Sequence, residues 1–348
     1  MGLYVWTPRA EHAGQLLALL ADATARLAAP DWYDLPAAVR NLHPEHARAV
    51  LGYGSWYVDG LRKPASFADV YLVVDDYRGV HHQALHLWLN RVLPPNVYYL
   101  WSDGEGHREI RGKYNVISRA DLERECSPRL RDVYNAGRLT KLVWIAWVCD
   151  EPTRQWLLGQ LLAAHCTLAP VALALLPDQL SQEEFSLEFL GLSYRGEPRL
   201  EGWERVRALY AAHADRYRVL HGVLLEAFAT VTGLLVSEGP GRFRKSQPHM
   251  WPELLRQARW LLRRSRWRGY LRWPRIVLTE PNLVDLAVNE AERKAGVRIH
   301  VTPALRRHPF LFGLPEFLRV LRERNTEERI RATKPRGQDG MPSAGRSP

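Results

Sequence analysis

Apolar residues alternate with other residues over positions 67–75, and this period of two predicts a β-strand. One face of the strand is wholly apolar, and the other face carries Asp69 near its start. Similar runs predict strands over 97–101, 110–118 and 141–148. Helical spacing of apolar residues predicts helices over 9–28, 43–50, 80–92 and 119–126. Strands interspersed with helices predict an α/β or α+β domain over roughly residues 40–150.

Past residue 150 the pattern is mostly helical. Apolar residues recur at helical spacing over 153–165, 183–190, 204–212 and 217–228. Gly191 and Pro198 are predicted breaks, and the Gly- and Pro-rich segment 237–248 is predicted to be a linker. Residues 334–348 are too polar to bury a core, so we expect this tail to be disordered. The pattern divides the chain at about residues 150, 240 and 333.

Composition narrows the class of protein. With 46% apolar and 25% charged residues, the chain has a globular composition. No apolar run approaches the roughly 18 to 20 residues of a membrane-spanning helix, and an N-terminal segment with Glu11 and Asp22 does not fit a signal or transit peptide. The three cysteines lack CxxC spacing, which argues against disulfides and a zinc site. We therefore expect a protein kept inside the cell, and the Arg-rich composition favours a bacterial source.

The net charge of +10 is concentrated in the last third of the chain. Residues 242–348 hold 24 Lys and Arg against 10 Asp and Glu, whereas residues 1–241 hold 24 against 28. Residues 252–274 form a predicted amphipathic helix with leucines on one side and arginines on the other. Arginines interleaved with aromatic residues are typical of helices on anionic bilayers. The residues predicted to contact such a membrane surface are Trp260, Arg263, Arg264, Arg266, Trp267 and Arg268.

Two other interpretations of this basic segment stay open. Arginine and aromatic side chains also form surfaces that bind nucleic acid, by stacking and by phosphate contacts. Amphipathic helices in general pack their apolar side on their own domain. Charge alone does not separate these alternatives.

A glycine-containing turn stands before the strand that carries Asp69. It reads Gly52-Tyr53-Gly54-Ser55, and 13 residues separate Ser55 from Asp69. Glycine lets backbone amides approach a phosphate, serine adds a hydroxyl donor, and a carboxylate on the adjacent strand can hold Mg²⁺ against the same phosphates. The arrangement resembles the signature of the nucleotidyltransferase superfamily, a Gly-Ser turn followed by an Asp-x-Asp strand. A tight turn next to a strand-end acid is the simpler alternative.

The second aspartate of that signature is absent. Tyr71 stands in its place, two residues after Asp69. Asp75 shares the strand face with Asp69 but lies about 20 Å from it at roughly 3.3 Å per residue. The second metal ligand is therefore open, with Asp75 and Asp76 as candidates.

Five sequence blocks follow one another in a specific order. They are Gly52-Tyr53-Gly54-Ser55, then Asp69 with Val74-Asp75-Asp76 and His81, then 113–118 (KYNVIS), then 134–141 (YNAGRLTK), then Leu176-Pro177 through 191–199 (GLSYRGEPR). Together they resemble the mitochondrial-type CDP-diacylglycerol synthases, the family of the mitochondrial translocator assembly and maintenance protein. The resemblance covers about residues 50–220.

The resemblance implies a peripheral enzyme that transfers cytidylyl from CTP to phosphatidic acid with Mg²⁺, giving CDP-diacylglycerol and pyrophosphate. It implies a nucleotidyltransferase-like domain with a mixed sheet over 1–150 and a helical, winged-helix-like domain over 151–240. A basic membrane-associating region over 241–333 and the tail 334–348 follow. The implied location is the cytoplasmic face of the cell membrane, or the matrix side of the inner mitochondrial membrane in a eukaryote.

The resemblance also implies roles for individual residues. Asp69 would bind the metal and act in catalysis together with Lys113. The residues implied to bind nucleotide and phosphate are Gly54, Ser55, Lys113, Arg138 and Lys141. The residues implied for the acceptor site are His81, Tyr114, Tyr194 and Arg199. Because the chain has only 6 Lys against 42 Arg, a lysine in each of two blocks is informative where phosphate is to be bound.

Two alternatives for the function stay open from the sequence. One is a nucleotidyltransferase that modifies RNA, a protein or another phosphorylated acceptor with the same turn and Asp69. The other is a catalytically inert scaffold of the same fold that binds membrane or nucleic acid, since Trp56 and Tyr71 stand where the family has site residues.

Overall fold

A five-stranded mixed sheet is the first layer of the fold. The computed structural model describes residues 2–26, 35–58, 61, 67–81, 84–104, 108–198 and 202–279, with the single positions Val288 and Arg319. The strands are β1 (Ala47–Tyr53), β2 (Ala68–Val74), β3 (Asn96–Gly104), β4 (Arg108–Ser118) and β5 (Trp144–Val148). They lie in the order β3-β4-β2-β1-β5, with β2 and β4 parallel and the other pairs antiparallel. The predicted mixed α/β class is confirmed.

The helices of the first half cover both faces of this sheet. They are α1 (Ala10–Arg26), α2 (Leu35–Leu42), α3 (Ala84–Val92), α4 (Arg119–Cys126) and the single turn α5 (Ala136–Leu139). Side chains alternate along β2, so Val70 and Leu72 pack towards α2 and α3. Tyr71 and Val73 point to the opposite face and belong to the larger core that includes α1.

The predicted helix over 43–50 is wrong, because residues 47–53 form β1. This strand lies between β2 and β5 and is buried on both faces. A strand buried on both faces has a continuous apolar run, which periodicity does not distinguish from a buried helix. The helix of this region lies earlier in the chain and ends at Leu42.

The second half of the chain combines helices with a small sheet. The helices are α6 (Glu151–Leu175), α7 (Gln182–Arg195), α8 (Trp203–Ala212), α9 (Ala214–Thr232) and α10 (Trp251–Thr279). The strands are β6 (Gln179–Ser181), β7 (Leu235–Gly239) and β8 (Arg242–Lys245), in the order β6-β8-β7. A helix, a strand, further helices and a hairpin that pairs with the first strand make a winged-helix arrangement, as the resemblance implied.

Two expected breaks in this half are wrong. The predicted linker 237–248 contains the β7–β8 hairpin, whose turn uses Gly239 and Gly241 at positive φ, so the predicted division at residue 240 falls inside a turn. Gly191 lies within α7 rather than at its end. A Cβ on Gly191 would lie 2.4 Å from the Trp203 ring, so this glycine allows α8 to approach closely.

The helix α6 runs through the core of the protein. It is longer than the predicted helix 153–165 and continues past Pro170 to Leu175. By length and composition α6 is apolar enough to cross a membrane. Its most apolar 18-residue stretch has a mean hydropathy of 1.6, but 78% of that stretch is buried inside the protein. It packs with α1 and α10 in the larger core. Burial in a folded core accounts for its composition.

The predicted amphipathic helix over 252–274 is confirmed as α10. Leu254, Ala258 and Leu261 are buried against the larger core. The described residues up to Thr279 lie within one compact unit. The tail 334–348 and, apart from Val288 and Arg319, the region 280–333 lie outside the described residues.

Two buried histidines predict a loss of stability in mild acid. The ring centroids of His165 in α6 and His221 in α9 are 6.4 Å apart, and within the described part of the chain neither Nε2 has a hydrogen-bond partner. Burial lowers the pKa of His165 to about 4, and burial together with His165 lowers the pKa of His221 well below 6.5. In the unfolded chain both histidines take up a proton near pH 6.5, whereas the folded protein resists this protonation. The free energy of unfolding is therefore highest above pH 6.5 and decreases as the pH falls towards 4.

Thermal and urea unfolding between pH 7.5 and pH 5 would measure this effect. We expect His165 to account for a loss of about 2 kcal/mol at pH 5, from the difference between its pKa of about 4 in the folded protein and about 6.5 in the unfolded chain, and His221 to add a loss in the same direction. The variant His165→Gln should show a smaller pH dependence, whatever its stability at pH 7.5. An equal pH dependence in both proteins would contradict the assignment.

Candidate active site

One row of side chains crosses four strands on the sheet face that is turned towards the larger core. Tyr53 of β1 is opposite Asp69 of β2, Asp69 is beside Lys113 of β4, and Lys113 is opposite Tyr99 of β3. Asp69 shares this face with Tyr71 because the two are separated by one residue on β2. The register therefore makes neighbours of the carboxylate and the lysine, which are far apart in sequence.

Two aromatic rings hold the ammonium group of Lys113. Its Nζ lies 4.9 Å from the ring centroid of Phe67 and 5.2 Å from that of Tyr99. Rings attract a cation through their negative faces, so this pair restricts the position of a flexible side chain. The result is a positive charge held in place beside Asp69.

The glycine turn reaches the same end of the sheet. Gly54 follows β1 directly and has φ +87°, which favours glycine over other residues. A Cβ on Gly54 would lie 3.8 Å from Asp69 Oδ2, so the turn and the carboxylate are adjacent. Ser55 begins a short 3₁₀ turn that ends at Tyr57, and the side chain of Ser55 lies outside the described part of the chain.

Buried tyrosines surround Asp69 from the inside of the protein. Tyr71 is fully buried and donates its hydroxyl hydrogen to Asn135 Oδ1 at 3.0 Å. Asn115 Nδ2 donates to the Tyr53 hydroxyl at 2.6 Å, and the two tyrosine rings are 4.8 Å apart. Burial raises the pKa of Tyr53 and of Tyr71 well above 10, and the charge of Asp69 raises that of Tyr53 further. Both hydroxyls thus stay neutral, so Tyr71 does not replace the missing carboxylate.

The structure does not bring Asp75 or Asp76 to Asp69. Both follow the last residue of β2, at the opposite end of the strand. Asp75 pairs with Arg48 at 2.5 Å, and the Asp76 side chain accepts a hydrogen bond from Arg78 N at 2.7 Å. Across the described ranges no group of three or more His, Cys, Asp or Glu could hold a metal ion. The candidacy of these two residues as the second ligand is therefore not supported by their position.

Arg138 is held by a carboxylate inside the protein. Its Nη1 donates to Glu197 Oε1 at 2.6 Å and its Nη2 to Oε2 at 2.9 Å, with the Tyr134 ring 3.5 Å from the guanidinium carbon. Burial disfavours the charge, yet Glu197 raises the pKa of Arg138 above its usual value. The pair joins α5 to the segment after α7, and a phosphate contact of Arg138 stays a prediction.

Lys141 and Tyr194 are brought together next to α5. Lys141 Nζ donates to Ser193 Oγ at 2.8 Å and lies 4.6 Å from the Tyr194 ring centroid. A Cβ on Gly137 would lie 2.9 Å from Ser193 Cβ, so α5 and α7 are in close contact. The segment 134–141 therefore lies between α7 and the sheet, to which the Tyr71–Asn135 hydrogen bond joins it.

His81 and Tyr114 lie on the other side of the sheet. His81 Nε2 is 3.0 Å from Asn90 Nδ2, and its Nδ1 is 3.0 Å from the Tyr98 hydroxyl. Tyr114 stacks on Tyr98 with centroids 5.2 Å apart, in the core that faces α2 and α3. The structure separates these two expected acceptor residues from Asp69, because Tyr114 alternates with Lys113 along β4. Arg199 lies outside the described residues.

The sequence patterns missed the aromatic and amide contacts of this site. Phe67 and Tyr99 hold Lys113, and Asn115 and Asn135 bind the two buried tyrosines. Phe67 shares the strand face of Asp69, which is a usable signal. The roles of the other three depend on the register between strands, which one sequence does not give.

A comparison of the sequence with known protein families gives a match. The family described as phosphatidate cytidylyltransferase, mitochondrial, matches residues 66–246, just over half of the chain. The chain belongs to this family. As a member of the mitochondrial phosphatidate cytidylyltransferase family it is a nucleotidyltransferase, and the predicted resemblance is confirmed. A comparison with curated proteins found no match.

The family match covers most of the site. It includes Asp69, Lys113, the segment 134–141 and α7, and it continues through the β7–β8 hairpin. Gly54 and Ser55 precede the matched residues, so the glycine turn belongs to the site by its position beside Asp69.

Proposed function

We propose that this phosphatidate cytidylyltransferase family member makes CDP-diacylglycerol and pyrophosphate from CTP and phosphatidic acid. The observation that carries the proposal is the row in which Asp69 stands beside Lys113 and the Gly54 turn, in a chain of this family. A glycine turn, a carboxylate and an ammonium group held between two rings are the parts needed to bind a nucleoside triphosphate.

The reaction needs one bond to form and one to break. A phosphate oxygen of phosphatidic acid attacks the α-phosphorus of CTP in line, and the bond from that phosphorus to the bridging oxygen of the β-phosphate breaks, so pyrophosphate leaves with the electron pair. Lys113 is placed to offset charge on the departing pyrophosphate, because its ammonium is already held between two rings. Lys141, held by Ser193, supplies a second positive charge towards phosphate groups.

The donor set at the turn fits Mg²⁺. The ion is usually held by one or two carboxylates together with substrate phosphates, and Asp69 supplies one such carboxylate. Asp69 would hold the ion against the triphosphate, with phosphate oxygens and water as further ligands. When bound, Mg²⁺ offsets negative charge on the triphosphate.

The lipid acceptor implies that the enzyme works at an anionic membrane surface. The exposed arginines and Trp267 of α10 support such a contact: Arg263 and Arg266 are exposed, and Trp267 is 67% exposed. Peripheral binding to the inner mitochondrial membrane or to the cytoplasmic face of a cell membrane is part of this proposal.

Four of the six residues predicted for membrane contact, namely Trp260, Arg264, Arg266 and Arg268, have contacts inside the protein. Arg264 Nη2 donates to Leu130 O at 2.7 Å, and Arg268 Nε donates to Asp132 Oδ2 at 2.6 Å. Trp260 is half-buried, with the Arg264 guanidinium carbon 4.0 Å from its ring centroid. These contacts favour the packed-helix interpretation for the inner side of α10. The membrane proposal therefore uses its outer side.

The test is a turnover assay with CTP labelled at the α-phosphate, Mg²⁺ and vesicles that contain phosphatidic acid. We expect label to enter the lipid phase with CTP and not with ATP, GTP or UTP, and omission of Mg²⁺ to abolish the transfer. Thermal unfolding with CTP and Mg²⁺ reports nucleotide binding separately, because a ligand of the folded state raises Tm. Binding of CTP without label in lipid would reject phosphatidic acid as the acceptor and leave RNA, protein and other phosphorylated acceptors to be tested.

A further inference from the structure

The helix α3 carries an apolar stripe that is open to solvent. Leu85, Trp88 and Val92 are 51%, 59% and 39% exposed. Their spacing of three and four residues puts them on one side of the helix, while Leu87 packs against the core that includes β2. A folded protein rarely leaves a tryptophan and two aliphatic residues together on one exposed helix face unless that face has a partner.

The outer side of α10 carries a second apolar stripe. Trp267 and Leu271 are 67% and 61% exposed and lie one helical turn apart. Trp260, two turns before Trp267, is half-buried and packs against the larger core, so it is not part of this stripe. This stripe is separate from the buried leucines of α10, which face the larger core.

Two hydrogen bonds join α10 to the last residue of α3 and to the segment that follows it. Arg268 Nη2 donates to Val92 O at 2.8 Å, and Arg272 Nη2 donates to Pro94 O at 3.0 Å. Both arginines also form ion pairs with the buried carboxylate of Asp132, which restricts the position of their side chains.

The helical period places the exposed stripe of α10 on the side of α3. At about 100° per residue, Trp267 and Leu271 are neighbours of Arg264 and Arg268 around the axis. Arg266 lies on the other flank of α10, where its Nε donates to Arg195 O at 2.7 Å. Five exposed apolar residues thus lie around the contact between α10 and the end of α3. We call them the two-helix face: Leu85, Trp88, Val92, Trp267 and Leu271.

We propose that the two-helix face docks on an anionic lipid bilayer. This inference rests on the proposed function for its choice of partner, because phosphatidic acid is presented by such a bilayer. Exposed arginines surround the face, with Arg91 on α3 and Arg259 and Arg263 on α10. Aromatic and aliphatic side chains with a basic border match the interface of an anionic membrane.

The position of the face relative to the site fits a lipid acceptor. The guanidinium carbon of Arg272 lies 4.3 Å from the ring centroid of Tyr134, and that of Arg138 lies 3.5 Å from the same centroid. One aromatic side chain therefore separates the arginine that fixes the two-helix face from the arginine of the 134–141 segment. A bilayer on this face would present its headgroups close to the segment that carries Lys141.

The test compares two double variants of the full-length protein in vesicle flotation. Leu85→Ser with Trp88→Ser removes most of the α3 stripe, and Leu42→Ser with Val219→Ser removes exposed apolar residues elsewhere, 48% and 54% exposed. Vesicles contain phosphatidylcholine with or without phosphatidic acid. We expect the first variant to lose about tenfold in binding to the phosphatidic acid vesicles and the second to bind like the unchanged protein.

A charge pair and a soluble substrate complete the design. Arg263→Glu should weaken flotation, whereas Arg207→Glu, at an exposed position of α8, should not. The α3 variant should keep its turnover of a short-chain, water-soluble phosphatidic acid and its Tm, since Leu85 and Trp88 contact neither the site nor the core.

The outcomes separate this inference from the proposed function. Equal flotation of the α3 variant and the unchanged protein would overturn the two-helix face, as would equal losses in both double variants or loss of soluble turnover in the α3 variant. Flotation that depends on the face in a protein that transfers no cytidylyl to any phosphatidic acid would keep the face and reject the proposed reaction.

Discussion

Replacing Asp69 with asparagine is expected to reduce transfer of cytidylyl to lipid by at least about 10³-fold while the protein stays folded. The carboxylate lies beside the Gly54 turn and Lys113, and it is the residue proposed to hold Mg²⁺ against the triphosphate. Asparagine has nearly the same shape but no charge, so it keeps the packing and loses the ion. Initial rates with labelled CTP, together with Tm, measure the two effects separately.

Asp75 provides the matched control on the same strand. It lies just past the other end of β2 and pairs with Arg48 at the surface, so Asp75→Asn should keep turnover near that of the unchanged protein. A loss of activity in Asp75→Asn equal to that in Asp69→Asn would restore Asp75 as a metal ligand. Turnover of Asp69→Asn near the unchanged rate would reject the metal role of Asp69.

Replacing Asp132 with alanine is expected to lower the free energy of unfolding by about 3 to 5 kcal/mol. The carboxylate is fully buried and accepts hydrogen bonds from Arg268 and Arg272 of α10. Burial opposes its charge, but the two arginines outweigh burial and hold the pKa of Asp132 below its usual value. Alanine would leave two arginines near the interior without their counterion. Urea unfolding measures the change.

Two further variants test the cause of that loss. Asp215→Ala removes a carboxylate that is paired with Arg218 but exposed, and its effect on stability should be small. Combining Asp132→Leu with Arg268→Met and Arg272→Met replaces the whole buried ionic group by apolar side chains and should recover much of the stability. If the triple variant is no more stable than Asp132→Ala, loss of packing rather than unpaired charge explains the result.

The sequence indicated candidate residues for the site, but not how they are arranged. The order of the blocks was enough for the family, and the alternation along β2 correctly put Asp69 and Tyr71 on one face. The pairing of Asp69 with Lys113 follows from the parallel register of β2 and β4, which is set by packing between distant segments. Alternation along the predicted strand 110–118 does separate Tyr114 from Lys113, whereas nothing in the sequence indicated that His81 packs on the same face as Tyr114.

The wrong predictions have two physical causes. The strand β1 is buried on both faces, so its pattern lacked the alternation that identified β2. Glycine was taken as a break, but at Gly191 it serves a close helix contact, and at Gly239 and Gly241 it forms a hairpin turn. Local composition does not distinguish a linker from a tight turn between paired strands.

The ionic contact of Asp132 links the order of synthesis to the assembly of the site. Its two arginine partners lie 136 and 140 residues further along the chain. During synthesis, the sheet with Asp69 and Lys113 leaves the ribosome before α10 does. At that stage Asp132 has neither of these two counterions. The segment 134–141 gains its final support only when the last third of the described chain has left the ribosome. A fragment that ends before α10 would contain every residue proposed for nucleotide binding and still lack the ion pairs that hold this part of the site in place.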